Sequence, residues 1–511
     1  MIQTDMGSTS GINRAGWAAM LAVALGVAAD LLVLRQGLRS AGFLCWMVLF
    51  IAAVHALSRL QNRTRLPSCW SVFALAAAFL LFYRSTPVMI PMMLLVLLSC
   101  GVNGLLQQRA SERYGIAVLD YPWTTLKLPV LLLQSLWQTA SEVDPALVPR
   151  SSVRGVITGL LLATPVVSVF ALLFGSADAR FSAYLSSVSE IFSFNAVEHL
   201  ITMTLMSVLA FGLLAMVLRK PDPGQIDVPK QLSLGREETV IVMGSLVLLF
   251  LVFVVLQASY LFGGREIIEQ TSGLTLAEYA RRGFFEMLGV AALTLLILLA
   301  MAGLRCDVRI FRPLAVVMVV LVLIIMVSAL QRLLLYVEAF GLTLDRLLAL
   351  GLMLWLAVTL VGFALTVLRG RPQGFAFGSV LFGTLLLLAA GALNPVSIVA
   401  EINIGRVLAE PDSSVDVKYL VGLDGDAVPV ILKHFDELPV SVQCELGRSL
   451  SQAWPVIQEP GDWRQWNASR ARAQRHVDLN REKLETVFDQ ALENLMTRVT
   501  PQQEVGIFKV C

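Results

Sequence analysis

The chain is poor in the residues that soluble catalytic proteins rely on. Only 15% of its 511 residues are charged, and only four are histidine: His55, His199, His434 and His476. The six cysteines, at 45, 69, 100, 306, 444 and 511, show none of the short paired spacings that zinc and redox motifs need. No metal and no cofactor is expected. A Gly-rich phosphate loop with lysine, a His-Glu-x-x-His pair and a Gly-x-Ser-x-Gly elbow are all missing. So is any long basic run or aromatic-basic stripe, which argues against a nucleic-acid partner. Asp424-Gly425-Asp426 starts like a calcium loop, but the twelfth position is Phe435 where such a loop needs glutamate, so a turn is expected. Asn467-Ala468-Ser469 has glycosylation spacing, a signal too common to use.

What the chain has in abundance is apolar material: 57% hydrophobic residues and a mean hydropathy of +0.74. A water-soluble fold of this length cannot bury that much, so the sequence belongs in a bilayer. The expected fold is all-α, a polytopic transmembrane helix bundle with a small C-terminal helical domain outside the membrane. A span needs about 20 apolar residues to cross roughly 30 Å of hydrocarbon. Eleven runs qualify, near 16–34, 41–58, 68–83, 87–106, 155–174, 196–218, 239–262, 284–304, 314–340, 344–368 and 375–393. The third, at 16 residues, is the shortest. The first is read as a retained span and not a signal peptide, because Asp30 and Arg35 follow it where a small-residue cleavage site would stand.

Lysine and arginine set the orientation, since basic loops stay on the cytoplasmic side. The even-numbered loops carry 17 and the odd-numbered loops 9, counting with loop nine Arg332 and Arg346 of the helices that flank it. The N-terminus is therefore expected inside and the tail outside; for a bacterial cell that places the tail beyond the inner membrane. Residues 1–218 form an N-terminal membrane half of six spans, with an interfacial helix expected near 119–138, where Tyr121, Trp123, Trp137 and Lys127 mix with an apolar run. Residues 219–238 form a polar linker, 239–394 a second half of five spans, and 395–511 the tail. The tail is acidic, with 12 basic against 17 acidic residues. Apolar Val428, Ile431, Leu432 and Phe435 at helical spacing predict an amphipathic helix, and 471–498 reads as one longer helix.

The spans are clean of charge: Asp30, His55, Glu198, His199 and Glu286 lie near span ends, where snorkelling relieves them. The polar motifs collect on odd-numbered loops. Asp178 lies in loop five, and Tyr260 ends a span before loop seven. Thr275 and Glu278 have capping-box spacing, followed by Tyr279, with Glu278, Arg282 and Glu286 on one helical face. In loop nine, Arg332 and Tyr336 lie one turn apart, Gly341 can close one helix, and Thr343 can cap the next before Arg346. The tail adds Asn394, Asn403 and Asp426. Two readings follow. In one, these residues form a polar site at the outer surface in which Arg282, Arg332 and Arg346 bind an anion. In the other, which we favour, they dock the tail onto the helical hairpins.

At these motifs the sequence resembles a family of bacterial multi-pass membrane proteins known as domain of unknown function four-one-seven-three, related to four-one-five-three. The likeness lies in Ser176-Ala177-Asp178 with Phe181, Tyr260-Leu261-Phe262-Gly263-Gly264, Thr275 to Glu286, Arg332 to Arg346, Asn394-Pro395 and Asp416 to Pro429. It implies an integral membrane protein of a bacterial inner membrane and brings no activity, ligand or catalytic residue with it. Three functions stay open: non-enzymatic sensing or scaffolding in the envelope, a transporter or lipid exporter, and a transferase on a lipid-linked substrate with Glu278 or Asp178 as base. The first is preferred, so no catalytic residue is assigned. The expected partners are membrane lipids and another envelope protein met through the tail.

Overall fold

A computed structural model describes residues 9–34, 36–60, 68–110, 120–142, scattered positions between 163 and 180, 194–219, 221, 235–262, 284–304, 306–372, 374–409, 416–456 and 461–487. The described chain is helical throughout. Among the described residues eleven helices precede the tail: α1 (Thr9–Ala29), continued by a π-turn Asp30–Leu34, α2 (Ala41–Leu60), α3 (Ser68–Tyr83), α4 (Met89–Ala110), α5 (Asp120–Ala140), α6 (Phe194–Arg219), α7 (Arg236–Phe262), α8 (Phe284–Gly303), α9 (Val308–Phe340), α10 (Leu344–Thr366) and α11 (Phe375–Ala392). Among the described residues, nine helices are long and apolar enough to span a bilayer. The third expected span is the 16-residue α3, and the fifth falls almost wholly outside the described residues. At 33 residues α9 is about 50 Å long, well beyond the roughly 30 Å hydrocarbon layer.

The chain divides into two compact units. The first comprises 1–114, 121–224 and 459–468; the second comprises 115–120, 225–458 and 469–511. In the first, α1 packs along α6 through a stripe of small residues, Ala18, Ala22 and Gly26, one helical turn apart. A Cβ on Gly26 would stand 1.9 Å from Ser207 Oγ and 2.7 Å from the Met203 carbonyl, so the backbones meet closely there. Helix α5 turns polar Thr124, Ser135 and Thr139 inward and leaves Leu126, Val130, Leu133 and Trp137 exposed, the arrangement suited to an apolar surround.

In the second unit, α7 to α11 share a core that includes Leu298, Met318, Val322, Leu360 and Phe363. The tail helices are α12 (Pro395–Ala409), α13 (Val417–Gly422), α14 (Val428–Lys433), a 3-10 turn Phe435–Glu437, α15 (Val440–Ala453), a 3-10 turn Trp463–Gln465 and α16 (Ala468–Leu479). Val428, Ile431 and Phe435 enter a separate core with Val396, Val399, Leu420, Leu446 and Val477. The single helix expected over 471–498 is interrupted: α16 stops at Leu479 and a further helical stretch runs over 481–487, the residues beyond lying outside the described set. Asn480 makes the break. Its Nδ2 donates to the His476 carbonyl at 2.8 Å, a side-chain bond that competes with the backbone ladder.

Candidate functional site

The tail meets the membrane helices in each unit, and in both cases a polar side chain satisfies backbone groups that a helix end leaves unpaired. In the first unit the contact is the turn 461–467. Asp462 accepts from the Arg464 amide at 2.9 Å and from its guanidinium Nε at 2.7 Å, and Arg464 Nη1 reaches the Leu31 carbonyl at 2.9 Å. The Arg464 guanidinium holds the Asp462 carboxyl below the usual carboxylate range, and the arginine is raised in return. Trp466 lies against Phe82 with ring centroids 5.3 Å apart, and its carbonyl accepts from the Ala41 amide at the start of α2. Asn467 is 4% exposed, and its Nδ2 donates to the carbonyls of Arg39 at 3.1 Å, Leu81 at 3.2 Å and Arg84 at 2.9 Å. One amide therefore closes loop one and the C-terminal end of α3 together, where carbonyls have no intrahelical partner. The asparagine with glycosylation spacing is a buried structural clasp.

In the second unit the contact is loop nine. Gly341 closes α9 with φ 79°, and a Cβ there would lie 2.4 Å from Asn403 Oδ1. That absence of a side chain lets Asn403 pair with both backbone groups of Leu342, accepting from its N–H at 2.9 Å and donating to its carbonyl at 2.7 Å. The next exposed amide, that of Leu344, donates to the Tyr419 hydroxyl at 2.8 Å. Burial pushes the Tyr419 hydroxyl above its ordinary value, so it serves there as a neutral acceptor. Thr343 occupies the N-cap position of α10, but its side chain makes no capping bond, contrary to the sequence expectation. Arg346 is held by the Gly341 carbonyl and lies 4.1 Å from the Tyr336 ring centroid.

Of the other residues singled out above, Asn394 adopts φ 57° and binds Ser397 through its side chain. Ser397 Oγ donates to the Asp426 carbonyl at 2.9 Å, and the buried Asp426 carboxylate accepts from Ser469 Oγ at 2.8 Å. Asp424 takes φ 66° and accepts from the Gly425 amide, so this stretch is the turn its residues suggested. Asp178 belongs to the first unit, is exposed, and caps the Arg180 amide at 2.6 Å. Glu286 is exposed in the first turn of α8, and Arg332 is half-buried on α9, one turn before Tyr336. Glu278, Tyr279 and Arg282 lie outside the described residues, as does the side chain of Tyr260.

A third cluster corrects the reading of the spans. Asp30 is 1% exposed and does not snorkel; it accepts from Thr202 Oγ1 and pairs with His199 Nδ1, both on α6. It sits on the π-turn that ends the first span. The chemistry of this trio is structural. The Thr202 hydroxyl is turned to the carboxylate, whereas nucleophile activation requires a hydroxyl bonded to the imidazole. Among the described residues no group of three or more His, Cys, Asp or Glu side chains is placed to hold a metal. Cys444 is disulfide-bonded, Cys45, Cys69, Cys100 and Cys306 are free, and Cys511 lies outside the described residues.

Comparison with protein families matches residues 18–434 to the model described as Domain of unknown function (DUF4153). The match corrects the family number expected from the motifs to that of the related family. No curated protein and no solved structure matches the chain.

Proposed function

The chain belongs to the DUF4153 family, and from that premise we propose that it is a non-enzymatic scaffold or sensor of a bacterial inner membrane. Its N-terminus lies in the cytoplasm and its tail on the outer side, where it meets another envelope protein. The observation that carries the orientation is the disulfide at Cys444, because such bonds persist in oxidising compartments and are rare in the cytosol. Two independent features agree with it. The basic residues favour the even-numbered loops, and the tail's hydrogen bonds to membrane helices described above fall at loops one, three and nine. The non-enzymatic reading is supported by how the polar groups are used: Asn467, Asn403, Tyr419 and Arg346 are engaged with backbone carbonyls and amides, which leaves them as fasteners of a platform.

The test uses the full chain in intact cells, with Cys45, Cys69, Cys100 and Cys306 replaced by alanine. A membrane-impermeant maleimide should label the tail only after reduction and without permeabilising the membrane. Labelling that needs permeabilisation but no reductant would overturn the orientation. Substrate uptake or group transfer by the purified protein in proteoliposomes would overturn the non-enzymatic reading.

A further inference from the structure

Within the first unit, α2 to α6 line a half-open cavity of about 360 Å³. Its walls are almost entirely apolar. Trp46 and Phe50 stack on one side at 5.5 Å, Trp70 closes another, and Leu128 of α5 and Met216 of α6 complete it. The polar edge of Trp46 is already used, its Nε1 donating to the Leu25 carbonyl at 3.0 Å. A dry apolar cavity of about 150 Å³ is enough to take up benzene, and ligand pockets run from about 300 Å³ upward. Sequence choice keeps the space open: on α4, Gly101 and Gly104 line it, and a Cβ on either would meet nothing within 4 Å.

On α2 and α5 the lining residues, 46–54 and 128, lie mid-helix, and on the other three helices they lie toward one end. The lining residues of α3, 70–74, lie at the start of that helix; those of α4, 97–105, lie in its second half; those of α6, 213–217, lie in its last turns. These are the helix portions next to loops two, four and six, the loops that carry 3, 5 and 4 basic residues. A hydrocarbon chain lodged here has its headgroup at that end of the helices, where Arg59 stands in the last turn of α2 and Arg219, paired with Glu142, in the last turn of α6. We propose that this cavity is a binding site for one acyl chain of an anionic phospholipid drawn from the adjoining leaflet. The assignment is independent of which side of the membrane the tail occupies.

The full chain, purified and reconstituted in nanodiscs with mixed phosphatidylglycerol and phosphatidylcholine, is extracted with detergent and its retained lipid counted by native mass spectrometry. About one phosphatidylglycerol per chain is expected to survive extraction, and Gly101→Leu or Gly104→Leu should lower that retention about tenfold by filling the space. A parallel measurement covers variants that fail to fold. In wild-type protein, a phosphatidylglycerol with a photoreactive group in its acyl chain should mark Trp46, Trp70 or Cys100 and not only exposed Val72 and Leu95 on the same helices. Adducts confined to the exposed positions, retention unchanged in both filling variants, no retained lipid, or retention of phosphatidylcholine or a polyisoprenyl phosphate instead would each overturn the proposal.

Discussion

Asn467 shows how much one side chain can decide in a membrane protein. Its amide has two hydrogens and stands within 3.2 Å of three carbonyl oxygens, two of them at the end of α3. Water does not reach this point, since Asn467 is 4% exposed and the Arg84-Ser85-Thr86 corner beside it is also buried. Asn467→Ala leaves those carbonyls without their donor, and unsatisfied buried acceptors cost about 1–3 kcal/mol each. The substitution is expected to lower the unfolding temperature of the detergent-solubilised protein and to speed proteolysis within 457–468. Asn467→Asp should be worse than alanine, because a carboxylate would face three oxygens with nothing to donate. Equal melting of wild type and Asn467→Ala would show that the clasp contributes nothing. The tripeptide was visible in the sequence, but its partners were not: Arg39, Leu81 and Arg84 lie some four hundred positions away, and no local pattern announces them.

At the level of elements, the contact between α1 and α6 combines two devices that hydropathy cannot distinguish from ordinary spans. Inside a bilayer there is no hydrophobic drive to join helices, so close packing and polar pairs must do it. Here the small stripe ending at Gly26 brings the backbones together, and one turn later Asp30 binds His199 and Thr202. Gly26→Ala forces a methyl into the Ser207 and Met203 backbone and should cost about 1–3 kcal/mol by overpacking, weakening the Asp30 clasp with it. The same substitution at Gly244 of α7 meets nothing within 4 Å and should change stability by less than about 0.5 kcal/mol. Melting and monodispersity of the two variants measure the contrast, and equal behaviour would show that the helices can part freely at Gly26. Nothing in the sequence marks Ala18, Ala22 and Gly26 as a packing stripe, and Asp30 reads there only as a charge near a span end. Their joint meaning was not legible, because α6 is needed to show what the stripe packs against.

For the molecule as a whole, what the sequence announces well is anything the bilayer enforces one helix at a time. Run length and flanking charge located the nine described spans, because each must cover the hydrocarbon alone. The same solvent hides the rest. An apolar residue suits lipid and core equally, so exposed Leu248 and buried Leu298 look alike in the sequence, and so do cavity walls and solid packing. Outside the lipid the older rules return, and the tail's amphipathic helix at Val428 was readable for that reason. The tail is also where pH should act. His434 is raised above its ordinary 6.5 by Glu437 first and then by Glu401, and Glu401 is lowered below its ordinary 4.5, chiefly by His434. The histidine contribution is complete below about 6.5 and fades as pH rises through the raised value. The glutamate contribution is complete above about 4.5 and fades as pH falls through the lowered one. Both are therefore in force between these limits, joining α12 to the α14 turn. Glu401 and Lys433 are half exposed or more, so solvent screening limits each pair to a few tenths of a kcal/mol, at most about 1. Proteolysis of the tail in the full-length protein should accordingly be slowest near pH 5 to 6 and somewhat faster at pH 8, and His434→Gln should flatten that rise. A tail whose susceptibility is the same at both pH values, or a rise that persists in His434→Gln, would place the pH response elsewhere.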